Sequence, residues 1–223
     1  MQLYATRMDG EIPAQDWQEL CSLIPEYRQG KIRLLLVRQD RERSLLAGLL
    51  LRHAIRETLG EESVHFEFNS CGKPALAGRS DFHFSLSHAG IWIVCAVDGQ
   101  SVGVDVEKTE TVDFPSLARV AFSLEEQRTL QNKIGAEQLD YFYDVWTMKE
   151  SYCKAVGQGL SLAPETLTVK AGGLGQWIIA PRENPGWRLH QYKKIETGYK
   201  LAVCALHESF TEDMHLIPWR SLR

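Results

Sequence analysis

The side chains best able to do chemistry are acids and bases at particular intervals. In Ser-Val-Gly-Val-Asp-Val-Glu, residues 101–107, Val102, Val104 and Val106 alternate with Gly103, Asp105 and Glu107. This is the period-2 pattern of a strand with its valines turned to the core. Asp105 and Glu107 therefore share one face, about 7 Å apart. Like charges so placed repel unless a cation sits near them, and hard oxygen donors suit Mg²⁺. Gly103 is expected to leave room on that face for a ligand. A bare D-x-E also occurs on solvated strand faces, so the motif needs partners.

Glu150 supplies a third carboxylate, within Tyr-Phe-Tyr-Asp-Val-Trp-Thr-Met-Lys-Glu-Ser-Tyr-Cys-Lys-Ala-Val. Phe142, Val145, Trp146, Cys153 and Val156 recur there at helical spacing and form a buried stripe. Lys154 lies at i+4 from Glu150, on the same side of the helix. On a surface this is an ordinary ion pair of little weight. In a cleft, Glu150 would complete a metal site and Lys154 would neutralise charge on a phosphate. Ser123 opens Ser-x-x-Glu with Glu126, a capping box, and a capping role for Glu126 is expected ahead of a catalytic one.

Between residues 28 and 43 the chain sets Arg28, Lys31, Arg33, Arg38, Arg41 and Arg43 against Asp40 and Glu42. This is a candidate polyanion site or a solvated charged face. Arg43 and Ser44 fall in the first turn of a long helix, where free N–H groups and the helix dipole favour a phosphate. Asp-Phe-His-Phe-Ser-Leu-Ser-His-Ala-Gly, residues 81–90, ends in a strand-to-strand turn that brings Ser87 and His88 together. A hydroxyl, an imidazole and turn amides can hold a phosphate. Adjacent Ser and His point apart and no G-x-S-x-G elbow exists, which disfavours a serine hydrolase. Gly72 and Pro74 mark a turn expected to present Lys73 outward.

These residues need elements to carry them. Periodicity predicts strands near 2–8, 64–68, 82–87, 91–97 and 101–107. It predicts helices near 14–24 and 40–59, one opened by Ser123 and another over 137–156, then several strands. The order strand, helix, helix, strands occurs twice, which points to an α+β fold of two lobes, 1–100 and 101–223, with a ligand cleft between them. At 223 residues and 44% hydrophobic content the chain can bury a sizeable core. A net charge of -4 argues against a nucleic-acid binder. The opening residues show neither a secretory signal nor a membrane span, and the five cysteines form no C-x-x-C pair, so reduced thiols and a cytoplasmic location are expected.

Taken in order, Gly-Lys-Pro at 72–74, Phe-Ser-Leu-Ser-His-Ala-Gly at 84–90, Gly-Val-Asp-Val-Glu-Lys at 103–108, Phe-Ser-Leu-Glu-Glu at 122–126 and Trp-Thr-Met-Lys-Glu-Ser-Tyr-Cys-Lys-Ala-Val-Gly-Gln-Gly-Leu at 146–160 resemble the Sfp-type 4'-phosphopantetheinyl transferases. The resemblance spans nearly the whole chain, and the combined GxDxE and WxxKExxxKxxG blocks are specific. It implies a monomer of two similar α+β halves with coenzyme A in the cleft. It further implies that Asp105, Glu107 and Glu150 bind Mg²⁺ with the pyrophosphate, that Lys154 contacts the phosphate near the scissile bond, and that Arg28, Lys31, Arg43, Ser44, Ser87 and His88 hold the 3'-phosphate, with Lys73 facing the nucleotide. Arg28 stands where the family more often has lysine, and Ser44 where close relatives have threonine.

The implied reaction moves the phosphopantetheine arm onto a serine of an apo acyl, peptidyl or aryl carrier domain and releases 3',5'-ADP, with Glu150 as the candidate base. The apolar segment 109–125 is a candidate carrier surface. Two other readings share these residues: a metal-dependent phosphodiesterase, and a binding module without catalysis.

Overall fold

The structure, a computed structural model, describes residues 1–159, 162–172, 177–180, 186–193, 195–206 and 210–223. Its first part runs β1 (Gln2–Arg7), α1 (Ala14–Ser22), α2 (Glu26–Leu34), α3 (Arg38–Leu59), β2 (Phe66–Phe68), β3 (Pro74–Leu76), β4 (His83–Ala89) and β5 (Trp92–Asp98). The second runs β6 (Val102–Lys108), α4 (Phe114–Ala121), α5 (Leu124–Gln131), α6 (Gly135–Val156), β7 (Thr168–Ala171), β8 (Trp177–Ala180), β9 (Arg188–Tyr192) and β10 (Tyr199–Ala205), and a short β11 (His215–Leu216) follows. Each half is thus one strand, three helices and four strands. Strand order repeats as well: β1-β5-β4 with a separate β2-β3 hairpin corresponds to β6-β10-β9-β8-β7.

The repeat holds one helix more per half than periodicity predicts. In α2, Glu-Tyr-Arg-Gln-Gly-Lys-Ile-Arg-Leu, Ile32 alone is fully buried, so no apolar stripe announces it. Helix α4 is eight residues long with a proline near its start. The long helices α3 and α6 fall where expected, each closed by a left-handed glycine, Gly60 and Gly157, a geometry in which glycine carries no Cβ penalty.

Strand alternation builds four layers. In β5, Ile93, Cys95 and Val97 face α3, while Trp92, Val94 and Ala96 face the other sheet, where they meet Val102, Val104, Val106, Leu201 and Val203. On the far side Ala202, Cys204 and Leu189 pack with Phe142, Met148, Tyr152 and Ala155 of α6. The sheets touch along β4 and β6, where the Val104 N–H donates to Ser85 Oγ at 3.1 Å. The segment from 215 onward returns to the first lobe: β11 pairs in parallel with β1, and Trp219 and Leu222 join that lobe's core.

Candidate active site

The seam between β6 and α6 carries the acids. Gly103, Asp105 and Glu107 face α6, as the alternation requires. The room at Gly103 is taken by that helix and not by a ligand: a Cβ there would lie 1.9 Å from the Ser151 carbonyl oxygen and 2.4 Å from the Ala155 nitrogen. Glycine is thus what lets α6 lie directly on the strand, and this close approach brings Trp146, Glu150 and Lys154 over the acidic face.

Asp105 is buried. Its Oδ1 accepts from Lys154 Nζ at 2.7 Å and Ser87 Oγ at 2.8 Å, and Lys154 also donates to Ser87 Oγ at 2.9 Å. Lys154 therefore spends its charge on Asp105, not on Glu150 one turn away. Asp105 Oδ2 is buried with no partner. Burial drives the Asp105 carboxyl above its usual range against the pull of Lys154. Glu107 accepts from the Trp146 indole N–H at 3.1 Å; burial, then Asp105, pushes it up to about 7. Glu150 is raised by the same two causes. Three acids so coupled favour a bound cation. Among the described residues, no three or more His, Cys, Asp or Glu side chains are already gathered into a metal-holding group; the cation on Asp105 is the Lys154 ammonium.

Lys154 and Glu150 open onto a cleft of about 770 Å³ whose opposite wall includes Tyr27, Arg28 and Lys31. Both cations lean on the Tyr27 ring, at 5.9 and 5.8 Å from its centroid. The missed helix α2 presents them, packed on α3 where Gly48 leaves space: a Cβ there would lie 2.7 Å from Arg28 Cδ. Above the seam sits a second basic corner. Arg43 Nη1 donates to the Gly90 carbonyl at 3.0 Å and also pairs with Asp40, while Ser44 is buried. His88 is held below its ordinary value by desolvation first and then by the charge of Arg43.

One expected orientation changes. Lys73 is turned inward: its Nζ donates to the Ala155 carbonyl at 2.9 Å and the Val102 carbonyl at 3.4 Å. Lys149, unremarked in the sequence beside Glu150, is buried on the carbonyls of Ala121, Pro164 and Leu167 at 2.8, 2.9 and 2.8 Å and pairs with Glu126 at 2.5 Å. Glu126 closes the expected capping box with Ser123 and also accepts from the Val169 N–H. Its observed contacts are thus structural. Ser85 and Asn69 went unread, although the alternation of Ser85 and Ser87 with Phe84 and Leu86 was the available sign for the first; Trp146, expected in the buried stripe, is half-buried and donates to Glu107. Leu160, last residue of the helix block, lies outside the described residues.

The cleft gathers Arg28, Lys31, Glu150 and Lys154 on its lining, and this mix of charges suits a phosphorylated ligand. Family models name the class: residues 101–204 match the 4'-phosphopantetheinyl transferase superfamily and residues 12–100 match 4'-phosphopantetheinyl transferase, N-terminal. The chain is 34% identical over 225 residues, all of both chains, to 4'-phosphopantetheinyl transferase Sfp of Bacillus subtilis. It is 32% identical over 188 residues, 83% of this chain and 77% of the relative, to 4'-phosphopantetheinyl transferase gsp of Aneurinibacillus migulanus. This chain belongs to the 4'-phosphopantetheinyl transferase family and is an enzyme of that class. A solved holo-(acyl-carrier-protein) synthase from Bacillus anthracis in complex with CoA (3',5'-ADP) is 16% identical, with a TM-score of 0.39 over 47% of this chain and 92% of that one.

Proposed function

We propose that the enzyme moves the 4'-phosphopantetheine arm of coenzyme A onto a serine of an apo carrier protein, releasing 3',5'-ADP, and that Mg²⁺ is its metal. The observation that carries the reading is the cleft itself, with Glu150 and Lys154 facing Arg28 and Lys31. Asp105, Glu107 and Glu150 fit a hard divalent cation: burial raises all three, the charge of Asp105 raises Glu107 and Glu150 further, and one buried oxygen, Asp105 Oδ2, has no partner. When bound, Mg²⁺ supplies charge neutralisation for the diphosphate.

The protein's own residues do the rest. Arg28 and Lys31 on α2, with Arg43, Ser44 and His88 at the corner above and Ser87 on the seam beside Lys154, hold the 3'-phosphate, and arginine at position 28 adds a forked grip. Lys154 moves from Asp105 toward the phosphate as charge builds on the leaving group. Glu150, raised and facing the cleft, takes the proton of the carrier serine. Phosphoryl transfer of this kind is mainly positioning and electrostatics.

We take the enzyme to be a cytoplasmic monomer, the location resting on its five free cysteines. On α4 and its flank, Val120 and Leu124 are exposed at 65% and 72%, which supports segment 109–125 as the carrier surface. The deciding experiment incubates the protein with coenzyme A, Mg²⁺ and a panel of apo carriers, and weighs the carriers by mass spectrometry. A carrier that gains the arm bears the reading out. Hydrolysis of coenzyme A without any carrier would instead indicate a phosphodiesterase.

A further inference from the structure

The turn between β2 and β3 belongs to the first lobe, yet its side chains end on the last turn of α6. Lys73 Nζ bonds to the carbonyls of Ala155 and Val102. Asn69 Nδ2 donates to the Gly157 carbonyl at 2.8 Å, while its Oδ1 accepts from the N–H groups of Cys71 and Lys73 at 2.9 and 2.8 Å. One asparagine thus shapes the turn and fastens it to the other lobe. The helix end is cut to receive it: a Cβ on Gly157 would sit 2.6 Å from Lys73 Cδ and 3.4 Å from Asn69 Nδ2. The Ala155 and Gly157 carbonyls lie in the last helical turn and its cap, where free acceptors and the negative end of the dipole attract a donor.

We propose that Asn69 and Lys73 form an inter-lobe clamp, in which Lys73 is a positioning residue that fixes the end of α6, and with it Glu150 and Lys154, against the cleft. Lys73 works through backbone carbonyls and does not spend its charge on the ligand. Burial pulls its ammonium down to about 8, and the amine keeps N–H donors for carbonyls in either protonation state, whereas a phosphate contact needs the charge. Asn69 is absent from the cleft wall that Lys73 lines, so the two arms can be told apart from ligand contacts. The kinetic consequence, though not the clamp, rests on the coenzyme A reading above.

The test compares wild type with Asn69→Ala, Lys73→Met and Lys73→Arg. Hydrogen exchange is first followed without any ligand. Both Asn69→Ala and Lys73→Met should exchange several-fold faster over residues 150–157 while α3 stays unchanged, and Lys73→Arg should recover part of the protection. In transfer assays Asn69→Ala should then raise the KM for coenzyme A several-fold and lower kcat, although it does not line the cleft. Unchanged exchange over 150–157 in the variants, with the KM raised by Lys73→Met alone, would overturn the clamp in favour of a direct ligand contact. Should Lys73→Met fail to fold, Asn69→Ala decides by the same two readouts. Absence of transferase activity in wild type would sink the coenzyme A reading and leave the exchange result standing.

Discussion

The two lobes place the same corner in different service. Counted back from their glycine caps, Arg43 of α3 and Asp140 of α6 occupy the same position, each beside the turn that joins the corresponding strands, β4 to β5 and β9 to β10. In the first lobe the corner is basic, with Arg43, His88 and nearby Arg28. In the second, Lys200 pairs with Asp140 and Asp144 at 2.6 and 2.7 Å, and Gln191 also bonds to Asp144. A duplicated frame thus leaves one corner with a basic excess, Arg43 sharing its charge with Asp40 alone among the described residues, and closes the other with two acids on one lysine. The reactive groups stand at neither: they occupy the seam where α6 crosses β6.

The largest expected effect tests that division. Asp105→Ala should leave the fold intact and cut kcat by about 10²- to 10³-fold or more, read as the mass gained by an apo carrier; near-normal turnover would move the chemistry off the seam. Lys149→Ala strands buried Glu126 and should cost about 3–5 kcal/mol in urea unfolding. Next come the corners. Arg43→Ala should weaken coenzyme A by about 1.5–3 kcal/mol, seen as a raised KM. Lys200→Ala should leave that KM alone and cost at most about 1 kcal/mol of stability. Equal KM effects at the two positions would erase the contrast.

The smallest effect is a pH dependence. Glu107 stands at about 7 when folded, against 4.5 as its ordinary value. Between those values the folded chain holds a proton that the unfolded chain has released, so its contribution makes stability fall as pH rises through the window. Glu107→Gln should flatten this slope in thermal melts. Mg²⁺ should stabilise the wild type more at pH 8 than at pH 6, since its ligands must be deprotonated.

How much of this the sequence discloses depends on period and on distance. The strand β6, both long helices and the Ser123 cap follow local rules, so Asp105, Glu107, Glu150 and Lys154 could be put on the right elements and faces. Helix α2 shows no stripe, because its useful side chains point at a cleft and only Ile32 points at the core. The purpose of Gly103 was misread because a missing Cβ announces close approach without naming what approaches. Lys73 and, apart from its pair with Glu126, Lys149 were beyond reach for a further reason: their partners are backbone carbonyls 29 to 82 and 15 to 28 positions away, and carbonyls leave no mark in a sequence.

The return of residues 215–222 to β1 bears on how the molecule comes to exist. Ile217 N–H donates to the Ala5 carbonyl at 2.9 Å, and the Trp219 indole donates to Asp9 at 2.6 Å. During synthesis β1 must therefore wait, its outer edge and one side of its helix-facing core unfinished, until residues 215–222 emerge. Until then the first lobe is left with a bare edge that invites wrong partners, and it is the return of 215–222 that stitches it shut.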